Sequence, residues 1–156
     1  MKQSPELKKA QEKMKPGAIT RDGFLGNDSR NLIDILIEDD ADVARLKLTH
    51  RHIAAKMRKM KEAGKKGLGD FIDAPPHFEI LVDSARGKLP CPFPHPGLIR
   101  KTYIVVRNKN LNREIVFTDM NIHLIEAHGF YEGKGAPFRL KPKDLKEILE
   151  IEPEGS

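Results

Sequence analysis

The spacing of apolar residues predicts three helices in the first half of the chain. Apolar residues cluster at 32–37, and the acids at 39–42 then suit the N-terminus of a second helix that ends near Leu46. Thr49 is a suitable cap for a third helix, over about 50–63. Apolar residues recur along this third segment at the spacing of one helical face: Ile53, Met57 and Met60.

The pattern changes to that of strands in the second half. Apolar and polar residues alternate at 77–83, and β-branched residues dominate a clearer strand at 99–106. Between them, 86–97 is predicted to be a loop that four prolines at alternate positions make stiff. A turn at 108–112 leads to a partner strand at 113–117, which indicates antiparallel pairing.

Helices return after this sheet. Thr118 is suited to cap a helix over 119–128, a short strand is expected at 138–140, and Pro142 opens a last helix. The order of elements predicts an α+β fold, in which a helical N-terminal half packs on a small antiparallel sheet and helices follow the sheet. We expect a flexible basic N-terminal segment at 1–15 and then a single domain over 16–152, with a helical part at 28–66 and a sheet-and-helix part at 76–150.

Composition narrows the setting in which the protein works. Lysine and arginine total 28 against 23 acids, for a formal net charge of +5 at pH 7. The only cysteine, Cys91, excludes a disulfide within the chain, and the basic N-terminus lacks the apolar core of a signal peptide. Apolar runs are too short to span a bilayer. These features predict a cytoplasmic protein with no membrane partner, and they indicate no oligomeric state.

Cysteine and histidine residues at two places form a candidate metal site. The proline-rich loop contributes Cys91 and His95, and the helix over 119–128 contributes His123 and His128. Thiolate and imidazole are ligands that zinc prefers, and a structural zinc site uses four of them. We therefore expect zinc or another divalent transition metal as the cofactor, with Glu126 as an alternative ligand three residues from His123 on the helix.

Other interpretations of the same residues stay open. A catalytic site of three ligands and a water could use His95, His123 and one of Cys91, Glu126 or His128. A nucleophilic Cys91 with a histidine partner is a further alternative, although its two flanking prolines do not place it at a helix N-terminus. Without a metal, Cys91 would be a buried thiol and His128 a cation at the end of a helix dipole.

A basic stretch supplies a second functional hypothesis. Residues 45–66 are rich in lysine and arginine and hold one acid, Glu62, and 42–57 partly fit a helix-turn-helix. Opposite the apolar stripe lie the candidate nucleic-acid ligands Arg51, His52, Arg58 and Lys59. Lys47 stands where the turn of that motif prefers glycine.

A glycine-rich segment at 129–135 supplies a candidate anion site. Lys134 within it and Arg139 just beyond it are the candidate ligands, although the spacing does not match a phosphate-binding loop.

Three segments of the sequence carry a family resemblance. They are KPGAITRDGFLG at 15–26, PCPFPHPG at 90–97 and NIHLIEAHGFYEGKGAPFRL at 121–140. Together they resemble a family of uncharacterised bacterial cytosolic proteins, and that resemblance implies no activity, cofactor or catalytic residue.

Two hypotheses follow from the residues, and neither assigns an enzyme class. The first is a nucleic-acid-binding or regulatory module using helices at 43–61, and the second is a metal-binding protein or metal-dependent enzyme built on Cys91, His95, His123 and His128.

Overall fold

The fold is that of an α+β protein with helices on both sides of the sheet in sequence. The computed structural model describes residues 2–153. Its helices are α1 (Pro5–Lys13), α2 (Leu32–Arg45), α3 (His50–Gly64), α4 (Asp119–His128) and α5 (Pro142–Leu149), with a short 3₁₀ turn at Lys65–Gly67. Its strands are β1 (Ile72–Ala74), β2 (Phe78–Pro90), β3 (Leu98–Asn108) and β4 (Arg113–Thr118). The predicted fold class is confirmed.

The strands form an antiparallel meander. The order is β1-β2-β3-β4, so each strand pairs with its neighbour in sequence. The β2–β3 ladder begins at Phe78 opposite Asn108 and closes at Pro90 opposite Leu98, with an irregularity between Ser84 and Lys88. The proline-rich segment 91–97 is therefore the loop of a long hairpin, held at both ends by strand pairing.

Two hydrophobic clusters make up the core, and α4 contributes to both. The larger cluster joins α3, α5 and the sheet, and it includes Ile122 and Ile125 of α4. The smaller cluster joins α1, the first turns of α2 and the hairpin loop, and it includes Met120 and Leu124. Because the helical repeat turns these pairs to different sides, one short helix ties the hairpin loop to the main core.

Helix α2 differs from the two helices predicted for this region. The chain runs as one helix through Asp39, so the second helix expected at 39–46 is wrong. Asp39, which was expected near the N-terminus of that helix, lies among the buried residues of α2, and only 2% of it is exposed. Arg139 makes this burial tolerable by donating two hydrogen bonds to the Asp39 carboxylate, at 2.7 and 2.9 Å.

Three other predicted boundaries also change. Strand β2 extends to Pro90, where it pairs with β3, so the loop predicted at 86–97 is wrong over 86–90. The arm at 83–88 is exposed and lacks the alternation of buried and exposed residues by which the strand could have been recognised. The strand expected at 138–140 is wrong, since Arg139 N–H bonds to the carbonyl of Ala136 in a turn. Strand β1 was not predicted because it spans only three residues.

The N-terminal segment packs more extensively than the flexible appendage expected at 1–15. Helix α1 buries Ala10, and Met14 follows it with no exposed surface. The side chains of Gln3 and of Gln11 in α1 accept hydrogen bonds from the N–H groups of Ile33 and Leu32, which link this segment to the start of α2. Within residues 2–153, no helix combines the length and the apolar character that crossing a bilayer requires.

Candidate metal centre

The fold brings the four predicted metal ligands to one place. Cys91 and His95 lie on the hairpin loop, and His123 and His128 lie on α4. One ligand atom from each residue can be chosen so that all four lie within 4.8 Å of one another. A tetrahedral ion with bonds of about 2.0–2.3 Å holds its ligand atoms about 3.3–3.6 Å apart. The observed grouping is therefore slightly wider than a closed site, by an amount that side-chain rotation can supply.

Helix α4 presents its two histidines because of how it begins and ends. Its first turn is fixed by a capping box, in which Thr118 and Asn121 each bond to the other's backbone N–H. Gly129 ends the helix with a φ of +62°, directly after His128. A Cβ at Gly129 would lie 2.9 Å from Nε2 of His50, so the close approach of α3 also requires glycine there.

The hydrogen bonds of His95 determine which of its nitrogens faces the cluster. Its Nδ1 lies 2.9 Å from the carbonyl oxygen of Pro96, which can only accept, so Nδ1 carries the proton. In the neutral ring Nε2 is then an unprotonated acceptor, and it lies 3.0 Å from Nε2 of His123. A backbone carbonyl that holds the far nitrogen of an imidazole is the usual support of a metal-ligating histidine.

His128 has a buried nitrogen that no protein group satisfies. Its Nε2 is the one buried side-chain nitrogen or oxygen without a hydrogen-bond partner among the described residues. The Phe93 ring stacks on its imidazole, with centroids 4.0 Å apart and 9° between the planes. Burial, with smaller effects from His123 and His95, lowers the pKa of His128 to about 4. The ring is therefore neutral at pH 7, and its buried Nε2 has no hydrogen-bond partner.

Cys91 is shielded in a way that does not suit a nucleophile. Only 3% of the residue is exposed, and burial raises the pKa of its thiol. The backbone N–H of Phe93 and the charge of Lys13 act in the opposite direction but do not reverse this effect. A buried, protonated thiol is inert toward electrophiles, whereas a metal ion would replace its proton.

Glu126, the alternative ligand, bonds to α3 instead of joining the cluster. Its two carboxylate oxygens accept hydrogen bonds from the Arg58 guanidinium, both at 3.0 Å. Arg58 is one of the four candidate nucleic-acid ligands, and its guanidinium is engaged in this contact. Arg51 and Lys59 are exposed, and His52 is half-buried.

The helix pair expected to read DNA is not the arrangement observed. The 39–46 segment belongs to the longer α2, and the apolar face of α3 packs mainly against α4 and β2. Lys47 does adopt the left-handed conformation of a tight turn, with a φ of +60°. Nucleic-acid binding by the exposed cations of α3 stays a prediction.

The two candidate anion ligands pair with acids of α2. Arg139 bonds to the buried Asp39 carboxylate, and Nζ of Lys134 lies 3.3 Å from a carboxylate oxygen of Glu38. An anion at these side chains would have to compete with carboxylates already in place, and its binding stays a prediction.

Sequence reasoning missed Phe93, which packs against the centre. It also makes an edge contact with Phe130, at 5.9 Å between ring centroids. The available signal was a single aromatic residue between the prolines of the loop, close to both candidate ligands there.

No protein-family model, curated protein or solved structure matches this chain. The family resemblance of the three sequence segments therefore stays a prediction, and the function is inferred from the residues themselves.

Proposed function

We propose that this chain is a metal-binding protein in which Cys91, His95, His123 and His128 together hold one zinc-type ion. The observation that carries the proposal is the grouping of four ligand atoms within 4.8 Å, two from a hairpin loop and two from a helix. These residues are separated by as many as 37 positions in sequence, from 91 to 128, so local structure alone would not gather them.

The donor set favours zinc over the hard cations. One thiolate and three imidazoles are soft and borderline ligands, whereas magnesium and calcium take oxygen. Glu126, the nearest acid on α4, is engaged by Arg58. Four protein ligands fill a tetrahedral ion, which is the arrangement of a structural rather than a catalytic site. In this role the ion fastens the loop at 91–97 to α4.

The side chains of the cluster have the protonation that ligation needs, except at two positions. His128 offers an unpartnered nitrogen, and His95 is held with Nε2 toward the cluster by the Pro96 carbonyl. On binding, the Cys91 thiol gives up its proton to the solvent. The proton on the His123 nitrogen that faces His95 moves to the other nitrogen of that ring, because histidine ligates a metal as a neutral imidazole. Metal binding should therefore release about one proton to the solvent.

The direct test is the metal content of protein purified without a histidine tag. We expect one zinc per chain in the wild type and loss of that zinc in His95→Ala, whose exposed loop position leaves the core intact. His52→Ala is the matched control, because it removes a histidine of α3 outside the cluster and should retain the metal. Absence of stoichiometric metal from the wild type, together with no uptake of added zinc, contradicts the proposal.

Cobalt substitution identifies the ligands. A tetrahedral cobalt site with a thiolate shows d–d bands in the visible and a sulfur-to-metal charge-transfer band in the near ultraviolet. We expect Cys91→Ser to lose the charge-transfer band selectively. A cobalt spectrum that is unchanged in Cys91→Ser would exclude Cys91 as a ligand, and an octahedral spectrum would exclude the closed tetrahedral site.

A further inference from the structure

A pocket lies where β3 runs past the end of β4. The β3–β4 ladder stops at the pair Tyr103 and Thr118, so β3 has no β4 neighbour before Tyr103. The space beside it has a volume of about 310 Å³ and is lined mainly by apolar surface. This is the small end of the range of about 300–1,000 Å³ found for small-molecule sites. No residue of the metal cluster lines it.

The walls of the pocket are held in place by the fold. One wall is the loop at 20–24 and another is the segment at 132–138. These two are joined directly, because Gly133 N–H donates to the carbonyl of Phe24 at 2.8 Å. Phe138 meets Tyr103 edge to face, with ring centroids 6.2 Å apart. The cavity is thus formed between hydrogen-bonded and packed elements.

Glu132 is a buried acid on the wall of this cavity. Only 3% of the residue is exposed, and its carboxyl accepts a hydrogen bond from the Asn121 side chain at 3.0 Å. Its backbone has a φ of +69°, where a non-glycine residue is strained. Burial raises the pKa of this carboxyl to about 8, so it is mainly protonated at neutral pH and can donate a hydrogen bond. Stability alone would favour glycine or a neutral amide here, which points to a use for the acid.

The mouth of the pocket is cationic. Arg21, Arg100 and Lys101 line it and are exposed, and Asp22 is the one acid beside them. The ion pairs recorded among residues 2–153 involve none of these three cations. The pocket therefore has an apolar interior, a hydrogen-bonding carboxyl on its buried side and unpaired positive charge at its opening.

We propose that this pocket binds a small amphipathic molecule whose anionic head, a carboxylate or a phosphate, meets Arg21 and Arg100 at the mouth. Its apolar body fills the cavity beside β3, and a polar group at its far end bonds to Glu132. Charge and size select this class over cations, which the mouth repels, and over polymers, which the cavity is too small to hold.

The test uses probes that share one tail. Octanoate, octyl phosphate, octanol and octylammonium are titrated separately into the full chain and followed by amide NMR shifts and calorimetry. We expect saturable binding of an anionic probe, with shifts centred on 20–24, 100–103 and 132–138, weaker binding of octanol and none of octylammonium. The tighter of the two anions identifies the head group. Equal binding of octylammonium, or no saturable binding by either anion, overturns the proposal.

Two arginines on β3 provide a matched pair of variants. Arg100 lines the mouth, whereas Arg107 on the same strand stacks on Phe71 outside the pocket. Arg100→Glu should raise the dissociation constant of the bound anion about tenfold, and Arg107→Glu should change it less than about twofold, because only the first reverses a charge in contact with the ligand. Equal weakening by both would show general charge attraction and overturn the site.

The role of Glu132 is tested with a probe that carries a far-end polar group. Hydroxyoctanoate, with its hydroxyl on the terminal carbon, should bind more tightly than octanoate to the wild type. We expect Glu132→Gln to keep that preference, since an amide also hydrogen-bonds, and Glu132→Leu to abolish it while still binding octanoate. An unchanged preference in Glu132→Leu would remove Glu132 from the site.

Discussion

Two buried acids have side-chain partners of different charge. Asp39 is 2% exposed and is bonded at both carboxylate oxygens by Arg139. Glu132 is equally buried, but its side chain bonds to the neutral amide of Asn121, and Arg139 donates only to its backbone carbonyl. A cation compensates the desolvation of a carboxylate, whereas an amide does so only in part. The pKa of Glu132 is therefore raised despite its hydrogen bond.

The raised pKa of Glu132 predicts a specific dependence of stability on pH. Below the pKa of the unfolded chain, near 4.5, both states carry the proton; between that value and about 8 only the folded state holds it. Unfolding then releases a proton, so this residue's contribution to stability falls as pH rises through that window and is constant above it. Each pH unit within the window costs about 1.4 kcal/mol at most.

Glu132→Gln measures this effect, because glutamine does not titrate. The free energy of unfolding of the variant, relative to wild type, should increase steadily between about pH 5 and pH 8 and then level. Urea unfolding at a series of pH values provides the measurement, and the comparison cancels the other titrating groups. Parallel curves for the two proteins would mean that Glu132 is ionised in the folded state at neutral pH.

At the scale of elements, α3 separates a packing face from a charged face. Ile53 and Met57 have no exposed surface, whereas Arg51 and Lys59 are exposed. Arg58 lies on the exposed side too, but its guanidinium bonds to Glu126 and so links α3 to α4. An exposed ion pair of this kind adds about 0–1 kcal/mol, so the helix pair depends mainly on its apolar contacts.

Substitutions on the two faces of α3 should therefore have different consequences. Ile53→Ala should lower the free energy of unfolding by about 2–5 kcal/mol, and Arg51→Ala should change it by less than about 0.5 kcal/mol. If α3 also binds duplex DNA, removing Arg51 and Lys59 together should reduce the log–log salt slope of binding by about 1.8. Chemical unfolding and a salt titration measure these two properties independently. A large stability loss in Arg51→Ala would contradict the assignment of its face.

For the whole molecule, the proposed metal ion acts at the contact between the hairpin loop and α4. Cys91 and Phe93 belong to the smaller hydrophobic cluster, and α4 reaches from it into the larger one. An ion that joins the loop to this helix would stabilise both clusters together, because ligand binding to the folded state adds to its free energy.

Removal of the metal should therefore lower global stability. We expect a chelator to reduce the Tm of the wild type by about 5–10 °C, which corresponds to a few kcal/mol in a chain of this length. The Tm of His95→Ala should start lower and show no response to the chelator. Differential scanning calorimetry of both proteins supplies the measurement. An equal chelator response in both would indicate an effect unrelated to this site.

The sequence by itself determined the types of element and the chemistry of the candidate site. Periodicity identified α3, a run of β-branched residues identified β3, and the Thr118 cap with the closing Gly129 identified α4. Cys91, His95, His123 and His128 stood out because few other residue types bind zinc. A shared metal site required the loop to lie beside α4, and the four ligand atoms do lie within 4.8 Å of one another.

Only the tertiary structure decided features that depend on a partner distant in sequence. Asp39 was taken for a helix boundary because Arg139, which neutralises it, is 100 positions away. The burial of α1 depends on a core made by later residues, and the pocket at Glu132 exists because two loops meet beside the free edge of β3. Local patterns report the preferences of neighbouring residues. The packing of distant segments determines which charges become paired and which acid lies beside a cavity.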